Sequence, residues 1–305
     1  MVPKRFVVIG GSAGGIEALI HLVRELPPAL DAALFVVIHV ARSSPRMLPS
    51  ILNRQRGIVA RYPEHGERIR GGCLYVAPPD YHMEIIDQRI ALHQGPRENR
   101  HRPAVDPLFR TAARAFGPAV IGVILTGYLD DGTEGLMAVR DAGGITVVQD
   151  PVDAAAPCMP RSALAHVAAD YCTQLKSIPA LLIDLLNGHP APMGKRKPSR
   201  KKTMKRPKDP LDVQLSCPEC GGPMNESVNG NLLRYRYTVG HSFSPESLLD
   251  GQSRTIESAI DAARRTMLER AALLKRLSSQ FERESDTAQN FLEKARELEA
   301  HSVQL

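Results

Sequence analysis

Nothing in this chain is apolar for long enough to span a bilayer. Its longest apolar runs, such as residues 33–40 and 118–125, are strand-length and far short of the roughly 20 residues a membrane helix requires. A secretion signal is also missing, because Met1-Val2-Pro3-Lys4-Arg5 leads straight into a buried-strand pattern without the charged, apolar, then small-residue order of a signal peptide. A cytoplasmic protein is therefore expected. Cysteine is scarce: Cys73, Cys158, Cys172, Cys217 and Cys220 are odd in number and mostly isolated, which fits reduced thiols rather than a disulfide framework. A general basic excess is lacking as well, despite a formal net charge of +6. Nine Lys/Arg and one acid lie between His189 and Pro210, and the remainder holds 30 basic and 32 acidic residues. Such a Pro- and Lys-rich run without apolar periodicity reads as a disordered, self-repelling linker rather than a nucleic-acid surface.

What is present is a chain of 305 residues, 43% hydrophobic, enough for one sizeable core and a smaller companion. Residues 1–188 alternate short β-branched runs with helical patterns, the signature of an α/β domain: a doubly wound, mainly parallel sheet with helices on both faces. Strands are predicted at 6–10, 34–39, 74–76, 120–126, 145–149 and 171–174, their successive apolar residues indicating burial on both sides. Helices are predicted at 15–26, 45–54, 106–115, 133–142, 161–168 and 178–186. Residues 82–92, with Asp87-Gln88 between two alternating runs, read as an inserted β-hairpin. The linker 189–210 is followed by a small Cys/Gly-rich module, 211–252. Residues 253–305 read as a long helix or a helical hairpin, with Ile256, Ile260, Ala263, Met267, Ala271, Leu274, Leu277 and Phe281 forming one apolar stripe.

The first strand runs through Gly10-Gly11-Ser12-Ala13-Gly14-Gly15 directly into a helix. A dinucleotide fingerprint requires glycine at the position of Ser12 and an acid at the tip of the second strand, where His39 stands. A phosphate-cradling loop requires Gly-Lys-Ser/Thr, which is absent. Gly10-x-Ser12-x-Gly14 does have the small neighbours of a nucleophile elbow, with the hydroxyl at a helix N-terminus. The alternative is a tight turn in which Ser12 only caps the helix. His39 ends the second strand and Asp131 lies beyond the strand at 120–126, so all three candidates share the carboxyl edge of the sheet, where reactive residues gather. One nitrogen of His39 is then placed to take the Ser12 proton while the other donates to a carboxylate. Asp131 and Asp130 both offer that carboxylate, or else an N-cap for the next helix. The order Ser, His, Asp argues against an ordinary α/β-hydrolase.

Over residues 5–186 the sequence resembles the catalytic domain of chemotaxis protein-glutamate methylesterases. The likeness rests on Val8-Ile9-Gly10-Gly11-Ser12-Ala13-Gly14-Gly15, Val36-Val37-Ile38-His39, Tyr75-Val76-Ala77-Pro78, Asn99-Arg100-His101-Arg102-Pro103-Ala104-Val105-Asp106, Gly122-Val123-Ile124-Leu125-Thr126-Gly127, Asp131-Gly132, Gly135 and Met159-Pro160. The resemblance implies that Ser12, His39 and Asp131 form the catalytic triad, which favours Asp131 over Asp130. It implies hydrolysis of glutamate methyl esters on chemoreceptor signalling helices, glutamine deamidation as a related activity, and no cofactor. Amides near Ser12 and Tyr128 are the expected oxyanion donors. Arg100 and Arg102 are expected either to meet an acidic receptor helix or to form surface ion pairs.

The chain departs from the family pattern in four places. It starts at the first catalytic strand where the typical member carries a phosphorylatable receiver domain, so control by phosphorylation in cis is not expected. Ala13 replaces a common threonine, Tyr128 a usual methionine and Leu129 a common glycine. In the C-terminal module, Cys217-Pro218-Glu219-Cys220 and His241 have spacing suited to zinc. Tyr237 stands where a third thiolate is expected, and a metal-free module is the expectation. The terminal helix is expected to self-associate or dock a partner through its apolar stripe. Two other functions stay open: a catalytically weak adaptor in a signalling complex, and an esterase or amidase acting on a protein other than a receptor.

Overall fold

Side chains alternate faces along a strand, and in the central strand both faces are dry. Strand β1 (Arg5–Gly11) sends Phe6 and Val8 into one apolar cluster and Val7 and Ile9 into another. A computed structural model describes residues 3–188, 213–229, 232–282 and 285–305, apart from Ala29 and Arg56. The expected linker at 189–210 lies outside the described residues.

Around β1 the chain builds a seven-stranded sheet from β2 (Ala32–Ile38), β3 (Val59–Arg61), β5 (Cys73–Val76), β8 (Val120–Ile124), β9 (Ile145–Gln149) and β10 (Tyr171–Thr173). Its order is β10-β9-β8-β1-β2-β5-β3, and every pairing is parallel. Helices α1 (Gly15–Glu25), α2 (Leu48–Asn53) and α6 (Ile178–Leu186) contribute Leu19, Leu22, Leu52 and Leu182 to one face. On the other face lie α3 (Val105–Phe116), α4 (Thr133–Asp141) and α5 (Cys158–His166), with Leu108, Phe109, Leu136 and Ala163 buried against Val8 and Phe35.

Because β1 is apolar on both faces, alternation alone does not fix its register. Gly10 does: a Cβ there would lie 2.3 Å from Val105 Cγ1, so a one-residue slip that placed Ile9 at this spot would collide with α3.

The expected hairpin forms as β6 (His82–Ile86) and β7 (Arg89–His93). Its two-residue turn places Asp87 at φ 49° and Gln88 at φ 58°, the left-handed pair that a tight hairpin turn requires. The short β4 (Glu67–Arg68) joins it in a three-stranded sheet. Neither β3 nor β4 is foreshadowed in the sequence, since three and two residues are too few to show a period.

The Cys/Gly-rich module folds as β11 (Met224–Asn229), β12 (Leu232–Tyr237) and β13 (Ser242–Phe243) over a core of Cys217, Met224, Phe243 and Leu248. It belongs to the same compact unit as the large sheet, Met1–Leu248, whereas Leu249–Leu305 forms a second unit. Helix α7 runs Pro245–Ser278, beginning earlier than residue 253 because Pro245 suits a first turn. The second helix, α8 (Asp286–Gln304), folds back along α7. Ala271, Ala288 and Ala295 are buried, the Phe281 and Phe291 rings lie 6.0 Å apart, and Lys275 Nζ is 2.6 Å from Glu299. Among the described residues no helix is long and apolar enough to cross a membrane.

Candidate active site

The sheet changes winding direction at β1, which has β2 on one side and β8 on the other; a crevice opens there at the carboxyl ends of the strands. Ser12, His39 and Asp131 all follow the ends of these three strands.

Ser12 occupies the turn between β1 and α1. Its N–H donates to Thr126 O at 2.9 Å and its carbonyl accepts from Gly15 N–H at 2.9 Å. Gly14 takes φ 74°, a left-handed conformation that glycine adopts without a steric cost. Gly127 gives the loop after β8 its close approach, since a Cβ there would stand 2.8 Å from Ser12 Cβ. His39 is tied to the same edge through its N–H, which donates to Gly11 O at 3.1 Å. Its ring stacks on His101, with centroids 3.6 Å apart and planes 8° from parallel.

The His39 side chain is 4% exposed and that of Asp131 1%, and His39 Nε2 lies 2.7 Å from Asp131 Oδ2. Asp131 also receives Val105 N–H at 2.6 Å, Asp106 N–H at 3.3 Å and Asn99 Nδ2 at 2.9 Å. Two of those donors are first-turn amides of α3, which have no partner within their own helix. Burial alone would raise the Asp131 carboxyl, but the His39 bond and charge and these donors hold it well below the usual carboxylate range. A carboxylate acceptor 2.7 Å from Nε2 favours the proton on that nitrogen. Nδ1 is then left with the basic lone pair, and it is buried without a hydrogen-bond partner. This reverses the ring order of the chymotrypsin arrangement, in which Nδ1 faces the carboxylate.

Behind Asp131 lies a second buried layer. Asp106, fully buried, accepts from Gly132 N–H at 3.0 Å, Gly135 N–H at 2.7 Å and Asn99 Nδ2 at 2.9 Å. Burial and the neighbouring Asp131 charge push its carboxyl well up, and Arg234 opposes them. Arg234, on β12 of the small module, is only 3% exposed. It reaches Asn99 Oδ1 at 3.0 Å, Asp106 Oδ2 at 3.4 Å and Glu134 Oε2 at 3.0 Å. Asp130, the rival carboxylate, is occupied otherwise: it accepts from Ser244 Oγ at 2.7 Å and Ser247 Oγ at 3.1 Å. It is the adjacent Asp131 that meets His39.

Ser12 and His39 line one cavity of about 360 Å³ together with Val40, Ala41, Arg42, Arg97, Arg100, His101 and Arg102. No hydrogen bond joins the Ser12 hydroxyl to His39 in this conformation. Of the two arginines singled out from sequence, Arg102 is clamped by Asp80 at 2.6 and 3.1 Å and by Gly95 O at 2.6 Å, so its first role is to hold the wall. Asn99, Asp106 and His101 were within reach of sequence reasoning, because they lie in one motif stretch. Arg234 gave no signal: an arginine in a β-hairpin is ordinarily a solvated one.

Comparison with known proteins places the chain in one family. The family described as CheB methylesterase matches residues 7–182. The protein-glutamate methylesterase/protein-glutamine glutaminase of Escherichia coli K12 is 38% identical over 165 residues, 53% of this chain and 47% of that protein. A Leptospira interrogans protein that carries the same name provisionally is 39% identical over 180 residues, 59% of this chain and 93% of that protein. The crystal structure of the Thermotoga maritima CheB methylesterase catalytic domain superposes with a TM-score of 0.58 at 32% identity, covering 60% of this chain and all of that one. The chain thus spans about half the length of the E. coli relative.

Proposed function

Because the chain belongs to the CheB methylesterase family, we propose that it is a serine hydrolase that removes methyl esters from glutamate side chains of chemoreceptors, with Ser12, His39 and Asp131 as its triad. The observation that carries this reading is the imidazole of His39. One ring nitrogen is fixed by a buried carboxylate at 2.7 Å, the other is buried and unpartnered, and the ring shares a cavity with Ser12.

The chemistry follows from that proton placement. His39 Nδ1 takes the Ser12 proton as Oγ attacks the ester carbonyl, and Asp131 stabilises the imidazolium that forms. The imidazolium returns the proton to the departing methoxide and methanol leaves. Water, activated by the same nitrogen, then hydrolyses the acyl-serine to free glutamate. The Ser12 and Gly127 amides are already given to Thr126 O and Ala156 O, so the amides of Ala13 and Tyr128 are assigned to the oxyanion. Losing one such donor costs about a hundredfold or more in rate. A glutamine amide follows the same path with ammonia leaving, and the names of the relatives carry both activities.

Four arginines on the cavity wall suit an acidic receptor helix. The helical hairpin offers Ile256, Ile260 and Leu268 to solvent for docking or self-association, which light scattering on the full chain tests directly. The decisive assay is methanol release from methylated receptor helices. Wild-type protein is expected to release it and Ser12→Ala to fall to background; equal rates for the two would remove Ser12 from the mechanism.

A further inference from the structure

Metal-binding side chains outside the active site converge once among the described residues, at Cys217, Cys220 and His241. The spacing suits zinc, and it is Tyr237 in place of a third thiolate that leaves a metal-free module as the expectation from sequence. Cys217 and Cys220 lie on a tight loop in which Cys217 N–H donates to Gly222 O at 2.7 Å and Gly221 N–H to Cys217 O at 2.7 Å. Gly221 has φ 75°, so a left-handed residue closes the loop. His241 arrives on the turn between β12 and β13, fixed by Tyr237 N–H on His241 O at 2.9 Å.

His241 Nδ1 lies 3.5 Å from Cys217 Sγ and 3.4 Å from Cys220 Sγ. Nδ1 has either one lone pair or one hydrogen, so hydrogen bonding can serve both sulfurs only through a shared, weaker bond. A cation at the centre satisfies all three atoms at once. With Zn–S near 2.3 Å and Zn–N near 2.0–2.1 Å, tetrahedral zinc sets sulfur and nitrogen about 3.5 Å apart, the separation seen here.

We propose that Cys217, Cys220 and His241 bind a zinc ion, with solvent in the fourth position beside the exposed Cys220. Two thiolates balance the ion's charge, so the site adds no net charge to the module. Its consequence reaches the active site through the residues it immobilises. Glu219, between the two cysteines, lies 3.2 Å from Arg97. Ser242, next to His241, accepts Asn99 N–H at 2.8 Å. Arg97 lines the cavity with Ser12, and Asn99 holds Asp131. The ion thereby clamps the loop that forms one wall of the pocket.

The test uses the full chain, reduced, loaded with zinc and desalted. About one zinc per chain is expected by mass spectrometry, with less than about a tenth of that in Cys217→Ser, Cys220→Ser or His241→Ala. Cobalt(II) in place of zinc should give thiolate-to-metal charge-transfer absorption. A second measurement does not depend on variants folding. In the loaded wild type an alkylating reagent should modify the exposed Cys158 and Cys172 and spare Cys220, which becomes reactive after chelation. Metal-free protein after loading, equal zinc in wild type and variants, Cys220 reactivity indifferent to chelator, or a Cys217–Cys220 disulfide persisting in reductant would each overturn the proposal. These readings are independent of esterase activity. The predicted rise in KM on chelation, with a smaller change in kcat, rests additionally on the proposed function.

Discussion

Arg234→Met removes a buried cation and keeps most of the side chain's length. The guanidinium is 3% exposed and lies within 3.0–3.8 Å of Glu134, Asp106 and Glu98, with Asn99 Oδ1 also at 3.0 Å. Of the acids, Asp106 is 0% and Glu134 2% exposed. Breaking a buried pair from one side typically costs 3–5 kcal/mol, because the partner is left charged and dry. Arg110 still pairs with Glu98 at 2.7 Å and Glu134 at 3.5 Å, which places the cost near the lower end, about 3 kcal/mol. With a urea dependence of about 2–3 kcal/mol per molar, the midpoint should fall by about 1–1.5 M. Asn99 loses a charge-assisted partner and Asp131 sits on Asn99, so kcat should also fall, by about tenfold, the worth of one such bond. KM should hold, since Arg234 does not line the cavity. Arg234→Lys keeps the charge but not the fork and should fall between. Urea unfolding followed by near-ultraviolet circular dichroism, with methanol release alongside, checks both numbers. A midpoint shift below about 0.2 M with unchanged kcat would refute the claim that the small module is built into the catalytic scaffold.

Asp131→Asn should lower kcat by about 10⁴, because an amide no longer holds the proton on His39 Nε2; steady-state kinetics on a folded variant reads it. The depressed Asp131 carboxyl contributes stability at pH values above the ordinary carboxylate range, lost as pH falls through its lower folded value. The urea-midpoint gap between wild type and Asp131→Asn should accordingly hold level down to about pH 5 and shrink from there toward pH 3, and a gap constant over the whole range contradicts the assignment. Leu129 has φ 60°, a conformation costing an ordinary side chain about 1–2 kcal/mol. Leu129→Val, with a branched Cβ, should therefore lower thermal stability, while Leu129→Gly should not. The arginine-lined cavity predicts a KM for receptor helices that rises with salt while kcat stays level, measurable by initial rates between low and physiological ionic strength.

The parallel sheet was legible because burial on both faces leaves unbroken apolar runs, and residues 6–9, 34–38 and 120–124 carry them with few interruptions. The carboxyl-edge placement of Ser12, His39 and Asp131 followed from topology alone. Sequence marked Asn99 and Asp106 as members of one motif but not the buried layer they build behind the site. That Asn99 bridges Asp106 and Asp131 depends on two successive left-handed residues, Asn99 at φ 48° and Arg100 at φ 68°, which no periodicity announces. Nor does hydropathy reveal that β12 delivers Arg234 to that layer, because a buried arginine and a solvated one have the same letter. Spacing alone left Asp130 and Asp131 equivalent and the family resemblance favoured Asp131; in three dimensions Ser244 and Ser247 from the module occupy Asp130. The region that composition set apart as an appendage is in one compact unit with the sheet, since long-range ion pairing leaves no local pattern.

The central claim is that His39 makes Ser12 a nucleophile, and a fluorophosphonate probe read by intact mass and peptide mapping tests it most directly. One adduct per chain on Ser12 is expected in wild type, with none on Ser12→Ala and labelling slowed by about a thousandfold in His39→Gln. Equal labelling of wild type and His39→Gln, or an adduct on any residue other than Ser12, would contradict the account.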